Sequence, residues 1–105
     1  MAKPDGLLIS DHEWQQVSSI LQRFLPENEV WAFGSRVNGN AKPYSDLDLA
    51  IISQQPIPLP LLAEVAEAFS ESDLPWKVDL VDWATTSERF RQVIAAQKLI
   101  VKPLT

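Results

Sequence analysis

A chain of 105 residues, 46% apolar, without cysteine and with a formal net charge of −5, has material for one modest core. The absence of cysteine excludes disulfides and thiolate metal sites, and the lack of any Lys/Arg run argues against direct binding of nucleic acid by this chain alone. No apolar run approaches a membrane span, and "MAKPDGLLISDHEW" lacks the apolar centre of a secretory signal, so a reducing cytoplasm is the expected setting and no membrane partner is expected.

Ser10 followed three residues later by Glu13 predicts a capping box. Behind it Trp14, Val17, Leu21, Phe24 and Leu25 recur at helical spacing, which predicts an amphipathic helix over 11–25, ended by Pro26. "EVWAFG", 29–34, reads as a buried strand stopped by Gly34, and "SRVNG" as one or two helical turns. Asn38, Gly39, Asn40 and Pro43 mark a turn-rich connection into "DLDLAIIS", 46–53, a continuous apolar strand apart from its aspartates. A proline-punctuated loop, "QQPIPLP", leads to a helix in "LLAEVAEAFSES" and a third strand in "KVDLVDW", 77–83. Thr85 with Glu88 predicts a second capping box, opening a helix through Phe90, Val93 and Ile94, and "LIV", 99–101, reads as a short edge strand before Pro103. The whole reads as one domain over 1–105, α+β with a small mixed sheet in αβαβαβα order.

Connection lengths predict the pairing. About a dozen residues between the first two strands suit an antiparallel pair, and the longer, helix-bearing connection to the third suits a parallel crossover. Both pairings together bring Gly34, Ser35, Asp46, Asp48 and Asp79 to one edge of one sheet. Period-two geometry puts Asp46 and Asp48 on one face, where two partly buried carboxylates repel. A divalent cation with oxygen ligands relieves that repulsion, and Mg²⁺ characteristically takes one or two carboxylates plus substrate phosphates. Three carboxylates can hold two such ions roughly 3.5–4 Å apart, the arrangement used for in-line displacement at phosphorus. Gly34–Ser35 ahead of a short helix offers a backbone that a phosphate can approach closely. A lone D-x-D pair is commonly a solvated strand start and a lone Gly-Ser a turn. Gly-Ser, ten residues, then D-x-D entering an apolar strand, with V-D-L-V-D in a later one, is far more specific.

The run G-S-x-x-x-G-x-x-x-x-x-S-D-x-D-L, present as Gly34, Ser35, Gly39, Ser45, Asp46, Asp48 and Leu49, resembles that of the nucleotidyltransferase superfamily, whose fold is like the palm of DNA polymerase β. In length and wording the chain is similar to the minimal nucleotidyltransferases (MNT) that act as antitoxins beside HEPN-domain ribonuclease toxins, and the resemblance spans about residues 10–101. It implies metal ligation by Asp46 and Asp48, with Asp79 as third ligand and base. It also implies phosphate binding by Gly34 and Ser35, and Arg36 at the pyrophosphate leaving group. The run departs from the family pattern at Asn38, where a second basic residue is expected. The implied cofactor is Mg²⁺, two ions, or Mn²⁺, and the implied substrate is ATP. The implied reaction moves AMP to a tyrosine hydroxyl of the HEPN partner and silences it.

Two alternatives stand beside that expectation. One is an antitoxin that masks its toxin by stoichiometric binding, and the other a transferase acting on a small molecule of the aminoglycoside type. A homo- or hetero-oligomer is compatible with each. Of the remaining residues, His12 reads as solvated and Trp31 as core. Trp76 is divided between packing and partner contact, and Tyr44 between filling a turn and stacking on a base.

Overall fold

The computed structural model of the chain describes residues 1–104. Among them the order is α1 (Asp11–Phe24), β1 (Glu29–Phe33), α2 (Ser35–Asn38), β2 (Leu47–Ile52), α3 (Leu59–Ser70), β3 (Val78–Asp82), a 3₁₀ turn (Trp83–Thr85), α4 (Glu88–Gln97) and β4 (Leu99–Lys102). The strands form one mixed sheet in the order β3-β2-β1-β4, with β1 antiparallel to both β2 and β4 and β2 parallel to β3. Both predicted pairings are present, and β4 is an edge strand.

Helix α1 starts with the predicted box: Ser10 Oγ accepts from Glu13 N at 3.1 Å, and Glu13 Oε1 accepts from Ser10 N at 2.8 Å. Asp11 and Glu13 in its first turn and Arg23 in its last complement the helix dipole. Its buried residues Trp14, Val17 and Leu21 share the inner stripe. Helix α3 begins at Leu59, two residues before the expected start, with Pro60 in its first turn, where a missing N–H costs no helical bond. The expected Thr85–Glu88 box is replaced by another arrangement. Asp82 caps the 3₁₀ turn through Ala84 N, and Ser87 caps α4 by accepting from Phe90 N at 3.2 Å.

The two faces of the sheet carry different cores. One packs Val30, Ala32, Leu47, Leu49 and Ile51 against α1 and α3, together with Leu7 and Ile9 from the N-terminal segment. The other is smaller, with Trp31, Phe33 and Ala50 under Ile94 of α4 and Val81 and Trp83 beside them. Lys102 ties β4 to the α1–β1 loop. Its stem is fully buried and its Nζ donates to Pro26 O at 3.0 Å and Asn28 O at 2.9 Å. No helix among the described residues is long and apolar enough to cross a membrane.

Candidate active site

On the smaller face the sheet register runs in rows. Trp31, Ala50 and Val81 form one row, and the next towards the end of β1 is Phe33, Asp48 and Asp79. An apolar stripe thus turns into carboxylates one pleat further on. Antiparallel pairing sets the end of β1 beside the start of β2, and the crossover sets the start of β3 there too. Asp46 immediately precedes β2, close enough for its charge to act on Asp48.

The register separates two candidates that periodicity leaves equal. Asp79 is exposed and lies opposite Asp48. Asp82 has both oxygens engaged, Oδ2 accepting from Ile57 N at 3.0 Å and Oδ1 from Ala84 N at 3.3 Å. Its role is to hold the proline loop and the 3₁₀ turn.

Asp48 is half-buried, and its carboxyl is pushed up to about 6, first by burial and then by the charges of Asp79 and Asp46. Gly34 presses on it from the other side. Its φ of +82° is in the left-handed region, and a Cβ there would overlap Asp48 Oδ2. Glycine is therefore required twice over, for conformation and for space. From Gly34 the chain enters α2, whose first turn is closed by Val37 N and Asn38 N donating to Gly34 O at 3.0 Å each.

The donor set is hard carboxylate oxygen, mutually repelling and open to solvent at Asp79, which suits Mg²⁺ or Mn²⁺ with substrate phosphates completing the shell. Among the described residues no three His, Cys, Asp or Glu side chains converge on one point, so the acids form a row and not a closed cage. A groove of about 500 Å³ between α1 and α3, floored by Ile20, Phe24 and Ala68, contains none of these acids.

Arg36 differs from its expected placement over the pyrophosphate. It is 5% exposed, and its guanidinium donates to the carbonyls of Leu8, Lys42, Pro43 and Ser45 and lies over the Trp76 ring. Trp76 is thereby packed, not free for a partner. Tyr44 is 77% exposed at the tip of the loop ahead of Asp46, and His12 is exposed. Phe90, which the sequence marks only as a helix residue, makes an edge contact with Phe33 and is 40% exposed beside the acidic row.

Comparison with known proteins bears on the family and the fold. The family described as "Polymerase beta, Nucleotidyltransferase" matches residues 15–103. A "Probable protein adenylyltransferase MntA" of Haemophilus influenzae is 55% identical over 94 residues, covering 90% of this chain and 82% of that protein. A toxin–antitoxin crystal structure with AMP-PNP aligns with a TM-score of 0.73 at 24% identity over 88% of this chain and 74% of its own. A complex of tri-AMPylated Shewanella oneidensis HEPN toxin with its MNT antitoxin aligns with a TM-score of 0.66 at 23% identity over 90% of this chain and 72% of its own. At such identities these two structures speak for the fold. The match over most of its length and the 55% identity place the chain in the polymerase β-type nucleotidyltransferase family.

Proposed function

We propose that this chain transfers AMP from ATP to a tyrosine hydroxyl of a HEPN-domain toxin and so neutralises it, working as a single minimal domain in the cytoplasm. The observation that carries the reading is the Asp48–Asp79 pair at the start of two parallel strands with Gly34 pressed against Asp48, in a chain 55% identical to a probable protein adenylyltransferase. In the reaction the acceptor oxygen bonds to the α-phosphorus, the bond to the bridging oxygen breaks, and pyrophosphate leaves. Asp46, Asp48 and Asp79 are the residues that would hold Mg²⁺, one ion or two. When bound, the cation neutralises the row and withdraws charge from the phosphoryl oxygens. Asp79, the most accessible of the three, would accept the hydroxyl proton. Gly34 and Ser35 offer backbone to the β- and γ-phosphates, with the glycine allowing close approach.

The test is transfer from α-labelled ATP with Mg²⁺ to the cognate HEPN protein, wild type against Asp46→Asn/Asp48→Asn. Label on the partner with wild type alone is expected. A double variant that still neutralises the toxin as well as wild type would instead establish masking.

A further inference from the structure

A cation that is nine-tenths buried and faces carbonyls, not a carboxylate, needs a reason. Arg36 begins one residue after Ser35, and its side chain reaches three separate segments. Nε donates to Ser45 O at 2.9 Å, Nη2 to Pro43 O at 3.1 Å and Lys42 O at 3.3 Å, and Nη1 to Leu8 O at 2.9 Å. Leu8 N returns a bond to Arg36 O at 2.8 Å, so the N-terminal segment is held by both ends of the same residue. Four of the five guanidinium N–H groups are thus engaged. The guanidinium carbon lies 4.6 Å from the centre of the Trp76 ring. Burial lowers its pKa while the charges of Glu13 and Asp46 oppose that shift.

Two of these segments lead directly into the acidic row. Carbonyls 42, 43 and 45 belong to a loop without regular structure, and the next residue is Asp46. That loop has few bonds of its own: Ser45 N to Lys42 O at 3.0 Å and Lys42 N to Ser45 Oγ at 2.8 Å. Trp76 leads into Lys77, whose carbonyl accepts from Leu47 N at 2.9 Å, and then to Asp79. Gly34, in contact with Asp48, is two residues before Arg36 itself.

We propose that Arg36 is a positioning residue for the acidic row. It fixes loop 42–45, and with it Asp46, against the segment that leads to Asp79, and so sets divalent-cation affinity and turnover without contacting the nucleotide. This rests on the reading of Asp46, Asp48 and Asp79 as the cation site. Lysine cannot replace it, because an ammonium has no planar fork with which to gather carbonyls from two directions while stacking on an indole.

The test is hydrogen exchange resolved along the chain, together with Mn²⁺ titration followed by electron paramagnetic resonance without nucleotide, on wild type, Arg36→Ala, Arg36→Lys and Trp76→Leu. In Arg36→Ala the amides of 42–47 are expected to exchange at least about tenfold faster while those of α1 and β1 hold. Mn²⁺ affinity should fall about tenfold or more, the scale of losing charged hydrogen bonds. Added guanidinium ion should restore part of both, and Arg36→Lys should behave like Arg36→Ala. If Arg36→Ala does not fold, Trp76→Leu removes the stack while keeping an apolar side chain in the core, and should show the same local pattern at smaller amplitude. Unchanged exchange and Mn²⁺ affinity with a raised KM for ATP would overturn the proposal in favour of a phosphate contact. Uniformly faster exchange over all strands would overturn it in favour of general stability. A wild type that binds no Mn²⁺ would overturn the cation reading itself, and the exchange pattern alone would then decide whether Arg36 frames the loop.

Discussion

Asp48 sits where folding and chemistry ask opposite things of one carboxyl. Folded, it releases its proton only at about 6, against roughly 3.9 in an unfolded chain. Between those values the folded state holds the extra proton. The stability this group contributes is therefore complete below about pH 4 and is lost as pH rises to about 6. Above that, the free protein carries a half-buried charge beside two others at a standing cost. Asp48→Asn removes the cost, and after allowance for solvent screening the gain is about 1 kcal/mol at pH 8. Thermal melts should show Asp48→Asn about 4–8 °C above wild type at pH 8 and level with it at pH 4, while AMP transfer is lost. An equal or lower melting temperature at pH 8 would show that the row is not repulsive. Gly34→Ala makes the opposite kind of change. It forces a Cβ into the left-handed region and onto Asp48 Oδ2, so it should cost about 1–3 kcal/mol in denaturant titration and abolish transfer as well.

At the scale of elements, the legible parts were those with a period or a local rule. The Ser10–Glu13 box, the stripe of α1 and the apolar runs of β1 and β2 follow from side-chain spacing alone, and the pairing follows from the lengths of the connections. The start of α4 was misplaced because Thr85 and Glu88 satisfy a local pattern. Asp82 overrides it from outside: its carbonyl accepts from the hydroxyls of Thr85 and Thr86, which ties both threonines to the 3₁₀ turn and leaves Ser87 as the cap. The carbonyl contacts of Arg36 are hidden from the sequence for a similar reason. One of its partners lies 28 residues away, and nothing in local sequence distinguishes a guanidinium meant for carbonyls from one meant for phosphate. Asp79 and Asp82 show how register completes what periodicity begins. Asp82→Ala leaves Ile57 N and Ala84 N without acceptors and should cost about 1–3 kcal/mol, whereas Asp79→Asn should leave stability within about 0.5 kcal/mol and abolish transfer. Chemical denaturation of both variants beside the labelled-ATP assay checks the pair, and the reverse ranking would exchange their roles.

For the molecule as a whole, where a small apolar face runs out Asp48 and Asp79 stand in register, with the charge of Asp46 felt from just ahead of β2, in a chain of net charge −5. Stability and cation binding are therefore linked. A cation that binds only the folded chain stabilises it by mass action, about 2.7 kcal/mol at a hundred times its dissociation constant. Added Mg²⁺ should accordingly raise the melting temperature of wild type by several degrees. Asp48→Asn starts higher, because it lacks the repulsion, but should rise little. The two melting curves are then expected to cross, with the variant ahead in EDTA and wild type ahead in saturating Mg²⁺. Simple screening also relieves repulsion between carboxylates, so the titration belongs at constant ionic strength, with NaCl exchanged for MgCl₂. A wild type that responds to NaCl and MgCl₂ alike would reduce the row to a surface of repelling charges. A crossing that depends on Mg²⁺ would tie the instability of the free chain to the site where the cation belongs.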